Sequence, residues 1–146
     1  MRKSMMVDFV KLQEDFYVAP QIQAGDIIHA KELGIRTIMV NRPEHEEVGQ
    51  PTKDKLRLLA EAHDITFLEL PVISGQITDN QVDAFATLLT SAQMPCLCYC
   101  RTGTRSTHLW ALSHAQKLGL EHVMSAAMKA GYNLETIRER LILRIS

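Results

Sequence analysis

The sequence predicts an α/β domain whose mainly parallel central sheet is covered by helices on both faces. One reason is that short apolar runs rich in β-branched residues alternate with helix-like segments along nearly the whole chain. A second reason is that 146 residues, 46% of them hydrophobic and 23% charged, suit a globular domain with a substantial core. We therefore expect a single domain over residues 1–146.

Apolar runs and chain breakers predict the elements of the first third. The runs at 9–13 and 16–19 flank a turn-like Glu-Asp pair and predict two short strands. A helix is expected to begin at Gly25 and to end with Leu33, because a glycine follows. The β-branched run at 35–40 predicts a buried strand, which ends where an Asn-Arg-Pro sequence begins.

Capping signals place the next two helices. Thr52 is expected to cap a helix whose apolar residues share one face. A strand at 65–70 follows and ends before a proline. Thr78, with Gln81 three residues later, has the signature of a capping box at the start of another helical pattern.

The last third begins with the apolar run 95–99, which predicts a strand. A helix-like segment begins at Ser106, so this strand ends on a cysteine, turns tightly and leads into a helix. Two further short helices are expected at 121–129 and 134–143.

The turn between that strand and helix, Cys100–Ser106, carries the strongest functional signal in the chain. Its backbone N–H groups and the helix N-terminus would form a cradle for an anion beside the sulfur. Such a field favours the thiolate, which is the reactive form of cysteine. Gly103 permits backbone angles that side chains forbid, and Arg105 offers a two-pronged donor. The candidate anion-binding residues are Arg101, Thr102, Gly103, Thr104 and Arg105.

Two more polar residues come just past predicted strand ends. Because parallel sheets bind ligands at the carboxyl ends of their strands, Arg42 and Ser74 could face one pocket with Cys100. Arg42 either makes a second contact with the anion or pairs with acidic residues in the segment 44–47. Ser106 can cap the helix, and it can also donate a hydrogen bond to the thiolate.

The composition argues against several other functions. A net charge of −1 argues against broad electrostatic binding to nucleic acid or membrane, and no apolar run approaches a membrane span. Three cysteines clustered on one strand do not make a disulfide framework and fit a reducing cytoplasm. The six histidines show no metal-ligand spacing, no cofactor is implied, and residues 1–11 form no signal-peptide core. We expect a small anionic substrate or a phosphoprotein as partner, with the oligomeric state left open.

Six segments resemble, in order, the phosphatase-like domain of the beta-lactamase-hydrolase-like proteins. The resemblance runs from about Phe9 to Tyr132. It implies the fold of the cysteine-dependent dual-specificity phosphatases, with Cys100 as nucleophile and Arg105 as the anion-binding arginine. Some members of the family are described instead as sulfur transferases. The six segments are 41–44, 49–51, 70–72, 99–106, 109–112 and 126–132.

Two departures from the related phosphatases keep an alternative function open. Four residues separate Cys100 from Arg105, where those enzymes have five, and a shorter loop is the pattern of rhodaneses. The usual aspartate acid is also missing from the preceding loop, so that the nearest carboxylate is Asp79, just inside a helix. The favoured function is phosphomonoester hydrolysis through a phosphocysteine, with Cys100, Arg105 and Ser106 as catalytic residues and Asp79 as a candidate acid. Sulfur transfer through a persulfide on Cys100 is the alternative, and a non-catalytic anion sensor is the third possibility.

Overall fold

Five strands form one sheet in the computed structural model, which describes residues 6–146. The expectation that residues 1–11 form no signal-peptide core lies partly outside the described residues. The strands are β1 (Val10–Gln13), β2 (Phe16–Ala19), β3 (Thr37–Val40), β4 (Thr66–Glu69) and β5 (Cys96–Tyr99). The helices are α1 (Ala24–Glu32), α2 (Lys53–Ala62), α3 (Asp79–Ser91), α4 (Thr104–Leu118), α5 (Leu120–Lys129) and α6 (Arg138–Ile145).

The order of the strands places β5 in the middle of the sheet. From edge to edge the order is β1, β2, β5, β3, β4, with β1 antiparallel to β2 and all other neighbours parallel. Tyr99 at the end of β5 is in register with Ala19 at the end of β2 and with Val40 at the end of β3. The loops after these three strands therefore all begin at the carboxyl ends of the strands, and Cys100 lies in the central loop.

Alternate residues of β5 face opposite layers of helices. Cys96 and Cys98 belong to a cluster with the fully buried Trp110 of α4 and with buried residues of α3, α5 and α6. Leu97 and Tyr99 belong to a second cluster with buried residues of α1 and α2. Helices thus cover both faces of a mainly parallel sheet, which confirms the predicted fold class.

The elements begin and end close to the predicted positions. Thr52 caps α2, and Thr78 and Gln81 form the expected reciprocal capping box at the start of α3. The segment predicted as one helix over 134–143 begins instead with a 3₁₀ turn, Glu135–Ile137, before α6. Across the described part of the chain, no helix combines the length and the apolar character needed to cross a membrane.

Candidate active site

Cys100 follows β5 directly and is fully buried. The backbone N–H of Gly103 donates a hydrogen bond to its Sγ atom over 3.1 Å. Gly103 has a φ of 92°, in the left-handed region, and is the N-cap of α4. The chain thereby turns back over the sulfur, and the positive end of a 15-residue helix begins beside it. Both features favour a negative charge on Cys100.

Arg105 is held in place by one carboxylate and one carbonyl group. Its Nη1 donates to Glu46 Oε2 over 2.8 Å, and its Nη2 donates to Glu46 Oε1 over 2.9 Å. Nη1 also donates to the carbonyl oxygen of Val72 over 2.9 Å. The pKa of Arg105 is raised, first by the hydrogen bonds to Glu46 and further by the charge of Cys100. The guanidinium therefore stays charged at neutral pH.

Arg42 binds the Glu46 carboxylate as well and is almost completely buried, with 2% of its surface exposed. Its Nε donates to Glu46 Oε1 over 2.7 Å, and its Nη2 donates to Glu47 Oε1 over 2.8 Å. Gln21 accepts a third bond from Nη1 over 2.9 Å. Of the two interpretations of Arg42 from the sequence, the structure shows the pairing with acidic residues, although the side chain also lines the cavity described below.

Glu46 binds both Arg42 and Arg105. Hydrogen bonds from Arg105, and then from Arg42, lower the pKa of Glu46 to about 2. The pKa of the neighbouring Glu47 is also lowered, mainly by its hydrogen bond from Arg42. Both carboxyl groups are therefore ionised at neutral pH. Neither has a proton to give to a substrate.

Ser106 does not cap α4, because Gly103 occupies the N-cap position. Its buried hydroxyl instead donates to Asn41 Oδ1 over 2.8 Å. Asn41 in turn donates from Nδ2 to the carbonyl oxygen of Leu70 over 3.1 Å. Ser106 therefore joins the start of α4 to the loops after β3 and β4, and its hydroxyl proton points to Asn41 in this structure.

A cavity of about 420 Å³ opens beside the cysteine loop. Among the residues predicted to bind substrate, Arg42, Arg101, Thr102 and Thr104 line this cavity. Ser74, from the loop after β4, lines it as well. Cys100 itself is covered and does not form part of the lining. The lining residues are Arg42, Glu46, Glu47, Ser74, Arg101, Thr102, Thr104 and Arg105.

The structure does not bring Asp79 to this cavity. Its carboxylate accepts a hydrogen bond from Arg140 over 3.0 Å and lies 3.8 Å from Arg144, both on α6. The side chain is 72% exposed. The first turn of α3 therefore holds Asp79 in a surface ion pair, and the residue that lines the cavity from the preceding loop is Ser74.

Sequence reasoning missed two residues of the site, Glu46 and Tyr132. The sequence indicates Glu46 only as one of several acidic residues that could pair with Arg42, whereas it also binds Arg105. The Tyr132 hydroxyl donates to the carbonyl oxygen of Thr102 over 2.9 Å. The available signals were the acidic loop directly after Arg42 and an aromatic residue directly after a glycine. Neither pattern identifies its partner, because both contacts are long-range.

The other cysteines lie away from the loop. Cys96 and Cys98 have their Sγ atoms 3.9 Å apart, and all three cysteines are free and buried. Burial, and then the neighbouring Cys96, raise the pKa of Cys98 well above its ordinary value. Among residues 6–146, no group of three or more His, Cys, Asp or Glu residues could hold a metal ion.

Comparison with known proteins identifies the family. Residues 8–117 match the family described as beta-lactamase hydrolase-like protein, phosphatase-like domain. The chain belongs to this family. The beta-lactamase hydrolase-like protein of Xylella fastidiosa is 30% identical over 104 residues, which are 71% of this chain and 24% of that protein. The protein of the same name from Agrobacterium fabrum is 29% identical over 106 residues, 73% of this chain and 25% of that protein. The chain thus spans about a quarter of the length of these relatives.

Solved structures place this phosphatase-like domain among the cysteine phosphatases in fold. A candidate phosphatase from Neisseria meningitidis is 37% identical, with a TM-score of 0.84 over 92% of this chain and 96% of that one. A kinase-associated phosphatase, solved with its catalytic-site cysteine changed to serine, is 16% identical, with a TM-score of 0.72. That alignment covers 94% of this chain and 90% of the other. Both likenesses agree with the predicted cysteine-phosphatase-like fold.

Proposed function

We propose that this domain hydrolyses phosphomonoesters through a phosphocysteine on Cys100. The observation that carries the proposal is the hydrogen bond of 3.1 Å from the Gly103 N–H to the sulfur, at the N-terminus of α4. Arg105, held in the cysteine loop by Glu46, supplies the fixed positive charge that the reaction needs. Membership of a phosphatase-like family supports the same function.

The proposed reaction has two steps. The Cys100 thiolate attacks phosphorus, the bond from phosphorus to the ester oxygen breaks, and the leaving oxygen takes a proton from solvent. Water then attacks the phosphocysteine, which releases inorganic phosphate and restores the thiolate. In both steps the N–H groups of the loop and the Arg105 guanidinium stabilise charge on the phosphoryl oxygens.

The chemistry of the cavity favours substrates with good leaving groups. General acids work best when their pKa lies near the working pH. The pKa of Glu46 is held at about 2 and that of Glu47 is lowered, while Ser74 is a weak acid. We therefore propose aryl phosphates as the preferred class, on small molecules or on phosphoprotein tyrosines. A Pseudomonas aeruginosa protein of this fold, 14% identical with a TM-score of 0.65, was solved with phosphotyrosine.

Sulfur transfer is the second candidate, and two observations favour it. The loop has four residues between Cys100 and Arg105, and persulfide chemistry requires no general acid. Cys100 would accept a sulfane sulfur from thiosulfate, releasing sulfite, and a second thiol would then take that sulfur. The matching family and the two solved structures described above carry phosphatase names and lend this alternative no support.

Mass spectrometry of Cys100 after rapid quench separates the two functions. The protein is mixed once with 4-nitrophenyl phosphate and once with thiosulfate, and the peptide that contains residue 100 is weighed. We expect a phosphoryl adduct with the ester, no added sulfur with thiosulfate, and neither product in the Cys100→Ser variant. A persulfide without a phosphoryl adduct would establish sulfur transfer. If neither adduct forms while phosphate still binds, the site is an anion sensor.

A further inference from the structure

Tyr132 reaches the cysteine loop from the segment after α5. Its hydroxyl donates to the carbonyl oxygen of Thr102 over 2.9 Å. It also lies against the next residue, because a Cβ atom at Gly103 would overlap the Tyr132 hydroxyl. Tyr132 lies beyond residues 8–117, the part of the chain that matches the family, and none of the roles assigned so far includes it.

The contact acts on one peptide group. The Thr102 carbonyl and the Gly103 N–H belong to the same trans peptide, in which these two groups point in opposite directions. The carbonyl accepts from Tyr132 over 2.9 Å, and the N–H donates to Cys100 Sγ over 3.1 Å. The peptide plane is therefore held at both ends, with its donor towards the sulfur and its acceptor away from it.

This peptide needs such an anchor. Gly103 has a φ of 92°, and a glycine restricts rotation of the peptide before it less than any other residue. If the peptide rotated, the N–H donor would leave the sulfur, and the carbonyl oxygen would turn its negative end towards it. The conformational freedom of Gly103 lets the loop form, but it also allows the peptide to rotate and the sulfur to lose its N–H donor.

The phenol is suited to donate at neutral pH. Burial raises the pKa of Tyr132, and the charge of Cys100 raises it further. The hydroxyl therefore keeps its proton at neutral pH, so the donor to the Thr102 carbonyl is present there.

We infer that Tyr132 is a positioning residue that fixes the Thr102–Gly103 peptide so that its N–H stabilises the Cys100 thiolate. The inference rests on the proposed function only in that both concern this thiolate. Tyr132 does not line the cavity, and its hydroxyl bonds to the Thr102 carbonyl rather than to Cys100. It acts through the peptide, and the peptide acts on the sulfur.

The test compares Tyr132→Phe with the wild-type protein in two assays. The first is the rate at which iodoacetamide alkylates Cys100 as a function of pH, and the second is kcat/KM on 4-nitrophenyl phosphate. Loss of one net hydrogen bond predicts a fall of about three- to tenfold in alkylation at mildly acidic pH and in kcat/KM. The alkylation profile should move to higher pH, which a purely structural role would not cause.

Tyr17→Phe provides the matched control. It removes the same hydroxyl group from a tyrosine in β2 that does not line the cavity, and it should leave both assays unchanged. If Tyr132→Phe does not fold, a trifluorotyrosine at 132 keeps the ring and loses its proton at lower pH. The alkylation rate should then fall below the wild-type rate at the same pH as that phenol ionises.

The two proposals can fail separately. Alkylation requires no turnover, so it tests Tyr132 even if the protein forms no phosphocysteine. An unchanged alkylation profile in folded Tyr132→Phe overturns the role of Tyr132, whether or not esters are hydrolysed. A shifted profile supports that role, and the phosphocysteine experiment then decides the proposed function on its own.

Discussion

Glu46 and Arg105 form a two-pronged ion pair, with Oε2–Nη1 and Oε1–Nη2 distances of 2.8 and 2.9 Å. The sequence assigns the Arg105 fork to a bound oxyanion, yet here a carboxylate of the same chain occupies it. Glu46 also accepts from the buried Arg42 over 2.7 Å, so one carboxylate compensates two guanidinium groups. A bound anion must therefore use the loop N–H groups and those N–H groups of Arg105 that Glu46 leaves open, while Glu46 fixes the orientation of the side chain.

We expect Glu46 to make the fold sensitive to acid. Its folded-state pKa of about 2 lies below its ordinary value of 4.5, so its contribution to stability is complete above pH 4.5. That contribution is lost as the pH falls from 4.5 through about 2. In Glu46→Gln, the free energy of unfolding near neutral pH should fall by about 1–3 kcal/mol, because two arginines lose a charged partner. Urea denaturation between pH 7 and pH 3 measures both effects.

The control for this prediction is Glu14→Gln. Glu14 also pairs with a cation, Lys11, over 3.1 Å, but its side chain is 94% exposed. Exposed pairs of this kind contribute little to stability, so this variant should follow the wild-type pH dependence. If Glu46→Gln loses stability towards pH 3 as steeply as the wild type, Glu46 is not the group responsible.

Arg105 and Asp79 should differ sharply in their effect on turnover. Arg105→Lys keeps the charge but loses the planar fork that binds Glu46 and is proposed to stabilise phosphoryl oxygens, so kcat/KM should fall by about 10²–10³-fold. Asp79→Asn removes only an exposed pair with α6, so kcat/KM should stay within about twofold. Steady-state kinetics on 4-nitrophenyl phosphate checks both, with circular dichroism to confirm folding.

One result would restore Asp79 as the general acid. If Asp79→Asn were severely impaired, and if it also altered the pH–rate profile where an acid must be protonated, the carboxylate would have to reach the substrate during turnover. The ion pairs with Arg140 and Arg144 would then have to break in the complex.

The sequence predicts the local features of this fold well. Strands and helices are set by apolar periodicity, and the caps at Thr52 and Thr78 depend on residues three positions away. The same holds for the turn at Cys100–Ser106, because a β-strand, a glycine and a following helix are all contiguous. These signals suffice for the α/β class and for the position of Cys100, the candidate nucleophile.

Contacts between loops could not be predicted in the same way. Glu46 follows β3 and Arg105 follows β5, and they meet only because β3 and β5 are neighbours in the sheet. No local pattern in the sequence predicts the order of the strands in the sheet. Tyr132 follows α5 and reaches Thr102 across 30 positions because α5 packs against α4. The place of Asp79 in the chain makes it a candidate acid, whereas α6, distant in sequence, supplies its actual partners.

Cys100 should react with alkylating agents far faster than Cys98. Burial alone predicts no difference, because both side chains are fully covered. However, Cys98 packs within the core and its pKa is raised, whereas Cys100 lies under a loop that lines an open cavity and accepts the Gly103 N–H. At mildly acidic pH, iodoacetamide should label Cys100 alone, as peptide mass spectrometry can show, and phosphate or vanadate should slow the labelling.

Labelling in denaturant supplies the control, because all three cysteines should then react at similar rates. Equal labelling in the folded protein would mean that the loop does not favour the thiolate. Labelling that no oxyanion slows would mean that the cavity is not an anion site.

The rate of ester hydrolysis should depend steeply on the leaving group. The cavity-lining carboxyl groups, Glu46 and Glu47, are ionised, so the departing oxygen gains no proton from them. Phenyl phosphate should therefore react on the order of 10²-fold more slowly than 4-nitrophenyl phosphate, since general acid catalysis supplies about 10²–10⁴-fold where it operates. Glu47→Gln should leave this ratio unchanged. Similar rates for the two esters, together with a bell-shaped pH profile, would instead mean that a proton donor joins the site when substrate binds.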